Sequence, residues 1–403
     1  MRSRTYISNK LEQETFPYST KTINRENLVK FKGVRMIKPK LRFPEFSGEW
    51  KEKKFGNFCS IDMGQSPSSK NYTENPNDTI LIQGNADLEN GKVVPRIFTK
   101  EITKTSEPGN IIMTVRAPVG DIAINNYFAC IGRGVCSIKG NIFVYYLLEN
   151  LKERNVWKKL SQGSTFEAIN SLDIKNLNVN IPELNEQKKI ASFLSQIDRK
   201  IVLLETKQKL WETYKKGITQ QIFNQKIRFK NKKGEDYPDW IDGKLKNVLI
   251  QEIRKIEKPK TGYWRLGLRS HAKGTFHEFI DDPNKISMDY LYLVKKDDLI
   301  LNITFAWEHA IALAAKDDED KLVSHRFPTY KFFDKNNPLF YKYYVTLPVF
   351  RYELENISPG GAGRNRVLRK SDFLKIGVPI PSTTEQTKIA NFLSVIDIKI
   401  DNL

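Results

Sequence analysis

The sequence predicts a mixed α/β (α+β) protein built twice, with two globular domains and two long helices that pair as an antiparallel coiled coil. Three observations lead there. The stretch IPELNEQKKIASFLSQIDRKI at 181–201 returns as IPSTTEQTKIANFLSVIDIKI at 380–400, with 14 of 21 positions identical. Chance does not produce that match, so the chain carries an internal duplication. After the first copy, apolar residues recur every seven positions, as in a coiled coil. The remaining segments, about 130–140 residues each, contain short β-branched runs bounded by Gly, Asp or Asn, which read as strands.

In chain order, residues 1–38 form an extension without recognisable pattern, expected to be poorly ordered. Residues 39–182 make the first domain. Its entry LRFPEFSGEWKEKKFGNF, Leu41 to Phe58, resembles IRFKNKKGEDYPDWIDGKLKNV, Ile227 to Val248, before the second domain. Each has Arg-Phe, then Trp, then an apolar residue five later: Trp50/Phe55 and Trp240/Leu245. Residues 183–226 hold the central helix, about 60 Å long at 1.5 Å per residue. Ile190, Ile197, Leu204, Trp211 and Ile218 line one seam, with Leu194, Ile201 and Ile222 beside it and Gln208 and Lys215 interrupting. Residues 227–381 make the second domain. The runs 108–124 and 296–313, and 171–182 and 370–381, match as strands between the domains. Residues 382–403 form the second helix, where Ser382 and Glu385 predict a capping box. Its seam is Ile389, Leu393, Ile396 and Ile400, and it stops some 20 residues short of its counterpart. Repeat symmetry makes Leu194 and Ile201 face Leu393 and Ile400.

Charge narrows the function. There are 66 Lys and Arg against 47 Asp and Glu, a net of +19, which favours a polyanionic partner such as nucleic acid. No apolar run reaches the roughly 18–20 residues of a membrane span, and no signal-peptide core opens the chain. Three cysteines, an odd number, fit a reducing cytoplasm. Cys130 and Cys136 are expected to be buried apolar residues.

Catalytic patterns are missing. NNPLF at 336–340 lacks the second proline of an adenine-methyltransferase motif. SPGGAGRNR at 358–366 lacks the G-K-[ST] of a phosphate loop. The acids of PDWIDGK at 238–244 lie too close together for a nuclease metal site. The four histidines, His271, His277, His309 and His325, lack zinc spacing.

The twice-used Ile-Pro-x-x-x-Glu-Gln-x-Lys-Ile-Ala-x-Phe-Leu-Ser-x-Ile-Asp helix and the Arg-Phe-to-Trp entries resemble the DNA-specificity subunit of type I restriction-modification systems, over about Lys40 to Leu403. The resemblance implies two target-recognition domains that read the halves of a split sequence in double-stranded DNA, with the helices setting the gap. It implies docking of two methyltransferase subunits and of ATP-driven motor-endonuclease subunits. S-adenosylmethionine, ATP and Mg would bind those partners, and this chain would have no catalytic site, metal or cofactor. The competing reading is a coiled-coil scaffold with only nonspecific nucleic-acid affinity.

Base edges are read by polar side chains at groove depth. The candidates are therefore polar loops beside predicted strands. In the first domain these carry Gln65, Ser66, Ser68, Ser69, Lys70, Gln83, Asn85, Arg116, Ser164 and Thr165. In the second they carry Arg265, Arg269, Ser270, His271, Lys273, Asn302, Thr304, His325, Arg326, Arg364, Asn365 and Arg366. Trp264, Phe305 and Trp307 are expected to be core.

Overall fold

The computed structural model describes residues 39–161, 168–360 and 366–403; the extension falls outside them. The chain divides into two compact units after Asp198, within the central helix.

The first unit has strands β1 (Lys51–Lys54), β2 (Ser60–Met63), β3 (Tyr72–Thr73), β4 (Thr79–Ile82), β5 (Leu88–Glu89), β6 (Lys92–Val93), β7 (Ile97–Thr99), β8 (Thr105–Ser106), β9 (Ile111–Thr114), β10 (Ile122–Ile124), β11 (Ala129–Ile131), β12 (Val135–Lys139) and β13 (Asn178–Ile181). Helices α1 (Ile142–Glu153), α2 (Val156–Ser161) and α3 (Ser171–Lys175) precede β13, and α4 (Leu184–Phe223) follows it. The sheets run β2-β12-β9-β10-β6-β5, β3-β7-β4-β11-β8 and β1-β13. The β9 and β12 side chains are buried on both faces, which suits their near-continuous apolar sequence.

The second unit has β14 (Ile241–Lys244), β15 (Leu249–Glu252), β16 (Lys255–Glu257), β17 (Tyr263–Leu268), β18 (Thr275–Ile280), β19 (Tyr290–Leu293), β20 (Leu299–Leu301), β21 (Ile311–Leu313), β22 (Leu322–Val323), β23 (Thr329–Phe332) and β24 (Gly377–Ile380). Its helices are α5 (Pro338–Tyr344), α6 (Pro348–Asn356), α7 (Lys370–Phe373) and α8 (Thr383–Asp401). The sheets are β15-β23-β20-β21, β16-β19-β22-β17-β18 and β14-β24. The duplication extends to strand direction. β4 lies parallel to β11 and antiparallel to β7, as β17 lies parallel to β22 and antiparallel to β18.

The residues kept identical between the repeats fasten each domain to its helix. Arg42 Nε and Nη2 donate to the Glu186 carboxylate at 2.7 and 2.6 Å, and Trp50 Nε1 donates to it at 3.2 Å. Arg228 Nε and Nη2 donate to Glu385 at 3.3 and 3.1 Å, and Trp240 Nε1 at 3.0 Å. Gln187 and Gln386 donate to the carbonyls of Pro182 and Pro381. Tyr146 and Tyr343 hydroxyls donate to Asp198 and Asp397, both at 2.7 Å. Five residues after each Trp, Phe55 and Leu245 are fully buried.

Three expectations change. Ser382 Oγ accepts the Glu385 N–H at 3.3 Å, but the Glu385 carboxylate serves Arg228 and Trp240, so the capping box is only half formed. A guanidinium is the stronger donor. Ser171–Lys175 and Lys370–Phe373 begin their runs as helical turns, the first capped by Asn170 and Asp173, and only the following residues are strand.

The helix seam changes most. Within the second unit, Lys399 lies over the Trp211 ring and Lys215 pairs with Asp397, so numbers rise along one helix as they fall along the other. Ile222 is buried in one cluster with Ile389, Leu393 and Ile396, and Trp211, Ile218 and Ile400 pack against it. Thus α8 pairs antiparallel with the C-terminal half of α4, in place of the expected match to Leu194 and Ile201. Ile190 packs on the first domain's core, Leu194 and Leu204 are half-buried, and Ile197 and Ile201 are each 40% exposed. Lys215 breaks the apolar repeat because its ammonium pairs with Asp397 and sits over Tyr343.

Candidate nucleic-acid interface

In the first domain, three loops meet at the turn Gly132-Arg133-Gly134 between β11 and β12. Gly132 N–H donates to Ile82 O at 2.7 Å, and Arg133 N–H donates to Ser66 Oγ at 3.0 Å. Val115 N–H donates to Gly134 O at 2.9 Å, which brings the loop after β9 alongside. Close approach dictates the glycines. A Cβ on Gly134 would stand 2.0 Å from Gln83 O, and one on Gly64 would stand 2.1 Å from Gly132 O. Gln65, Ser66, Gln83 and Arg116 therefore gather around one turn. Ser68, Ser69 and Lys70 continue the first loop, where Glu101 accepts the Ser68 N–H. Asn85 donates to Asp121.

The second domain repeats part of this plan through two matching backbone bonds. Ile303 N–H donates to Arg326 O at 3.0 Å, matching Val115 to Gly134. Leu368 N–H donates to Ile303 O at 2.9 Å, matching Ile169 to Val115 at 3.0 Å. His325 and Arg326 thus occupy the turn that holds Arg133 and Gly134. Arg326 donates to Thr304 Oγ1, Arg366 lies over the Trp307 ring, and Lys370 donates to His325 O. The β17–β18 hairpin joins them: His271 and Ala272 N–H donate to Glu308 O and His309 O, and Ser270 Oγ donates to Glu308 at 2.6 Å. His271 and Ala272 have positive φ, 62° and 51°, which turns the hairpin tip back onto this loop. Arg269 and Lys273 flank the tip and are exposed, Arg269 donating to Thr275 O across the hairpin.

Some candidates are placed elsewhere. Asn302 is buried, and its side-chain oxygen accepts Thr304 N–H to shape the loop. Arg265 pairs with Glu278 across β17 and β18. Ser164, Thr165, Arg364 and Asn365 lie outside the described residues. Trp264 and Phe305, expected in the core, are 52% and 44% exposed; Trp264 stands beside Phe279 on the outer face of the hairpin. Trp307 is half-buried. Sequence reasoning passed over Arg133. Its signal was an arginine between two glycines, joining two apolar runs in CIGRGVC.

The buried chemistry is structural. His309 Nε2 lies 2.6 Å from Val345 O, and burial holds its pKa below the usual value. His277 meets Asp318 at 2.7 Å. Cys59, Cys130 and Cys136 are buried, and burial pushes the Cys59 and Cys136 thiols up to about 12. Among the described residues, no group of three or more His, Cys, Asp or Glu could hold a metal ion, and no helix is long and apolar enough to cross a membrane.

A single α/β domain used twice, each copy presenting polar and basic loops at one strand turn, defines a duplicated recognition module. The chain belongs to the type I restriction modification DNA specificity domain family, whose model matches residues 47–212 and again 221–403. It is 34% identical over 194 residues to a Methanocaldococcus jannaschii protein provisionally named type I restriction enzyme MjaX specificity subunit, covering 46% of this chain and 45% of that one. It is 28% identical over 232 residues to the MjaIX specificity subunit of the same organism, covering 53% of each. The chain thus spans about half the length of these relatives. Among solved structures, the S subunit of a type I restriction-modification system from M. genitalium matches with TM-score 0.56 and 15% identity, over 91% of this chain and 94% of that one, a likeness in fold.

Proposed function

We propose that this chain is a non-catalytic subunit that reads a split target in double-stranded DNA, one half per domain. It recruits methyltransferase and ATP-dependent motor-endonuclease subunits. S-adenosylmethionine, ATP and Mg are bound by those partners. The gap between the half-sites follows from the helices, and the choice of bases follows from the loops.

One observation carries this reading. Two backbone bonds tie the loop after β9 or β20 to the same turn and to the strand-return segment in both domains, while the side chains on the turn differ: Gly132-Arg133-Gly134 against Ser324-His325-Arg326. A shared frame with divergent polar tips suits two readers of different sequences. The +19 net charge supports a duplex partner.

The test is methylation of random DNA by the chain alone, by a methyltransferase subunit of the same system alone, and by both. Only the pair should methylate, and at one split motif. Binding to all sequences equally, with no motif, would favour a scaffold with nonspecific affinity. Methyl transfer by the chain alone would overturn the non-catalytic assignment.

A further inference from the structure

Resting on that reading, we propose that Arg133 reads a guanine in the major groove of the half-site bound by the first domain. Arg133 is exposed, and its guanidinium has no hydrogen-bond or ion-pair partner among the described residues. Three arginines at the second domain's counterpart loops are engaged: Arg269 with Thr275 O, Arg326 with Thr304 and Arg366 with Trp307.

The backbone under Arg133 is fixed on every side. Its own N–H is held by Ser66 Oγ, Gly132 N–H by Ile82 O, and Gly134 O by Val115 N–H. The Gln83 carbonyl and the Gly64 loop press so closely that side chains at Gly134 and Gly64 are excluded. A planar fork on an immobilised base loses less freedom on forming two parallel hydrogen bonds, and guanine O6 and N7 offer that paired acceptor edge. A phosphate also accepts the fork, but lysine can hold a phosphate as a point charge, whereas the planar pairing with both guanine acceptors depends on the fork. Gln65, Ser66, Gln83 and Arg116 surround the turn with groups able to read the neighbouring base or hold the strand. The counterpart turn carries His325 and Arg326, so the two domains present different tips at the same place.

The experiment selects methylated sites from a random duplex library, using the full chain assembled with its methyltransferase subunit, as wild type, Arg133→Ala and Arg133→Lys. The expected result is loss of guanine preference at one position of one half-site in both variants, by about five- to 150-fold, with the other half-site unchanged. Lysine should not restore the preference, because it lacks the fork. Two results would overturn the proposal. One is an unaltered motif in both variants. The other is an alanine variant that weakens on all sequences alike, with the salt slope reduced by about one and lysine rescuing it, as a phosphate contact would. A wild-type complex yielding no motif would overturn the functional reading itself, before the variants are compared.

Discussion

Glu186 and Glu385 each stand at the start of a long helix and accept bonds from an arginine and a tryptophan 136 to 157 residues away in the chain. Both carboxylates are at most 2% exposed. A buried carboxylate is tolerable only when paired, and removing one partner leaves the other charge stranded. Glu385→Gln should therefore cost about 3 kcal/mol in chemical denaturation, near the low end for such pairs because Arg228 is 22% open to water. A change below about 0.5 kcal/mol would show that the clasp contributes nothing. The sequence displayed these residues as identities without disclosing their roles. Glu385 looked like a capping-box acid because Ser382 stands three residues before it. Its long-range partners, Arg228 and Trp240, are invisible to local spacing. Arg133 was missed for a related reason: the closeness of Gln83 and Ser66 to its turn exists only in three dimensions.

At the scale of elements, the helices, their start points and most strand runs were legible, because periodicity and turn residues are local signals. Partner choice was not. Two copies related by symmetry invite the pairing of like with like, yet α8 meets Trp211, Lys215 and Ile222 near the end of α4 in place of Leu194 and Ile201. The polar Lys215, a break in an apolar repeat, was the clue, since an acid on the facing helix explains it. The two halves of α4 should then respond differently to truncation. Ile222→Ala, at 1% exposure, should cost about 2–5 kcal/mol, whereas Ile201→Ala, at 40%, should cost under about 1. Equal losses in urea unfolding would contradict the observed pairing.

For the whole molecule, the central claim is that two independent readers share one chain. The inner strands of both domains share order and direction, β7-β4-β11-β8 against β18-β17-β22-β19, and the loop after β9 or β20 is bonded to the same turn in each. Around that shared core the domains differ in their edge strands, the first adding β3 beside β7 and the second β16 beside β19, and in what the loops carry. The direct measurement replaces residues 241–380 with the matching segment of a relative of different specificity and maps methylated adenines in DNA exposed to the complex. One half of the split motif should change to that of the donor, while the other half and the gap between them stay as they were. A replacement that alters both halves, or neither, would contradict the account.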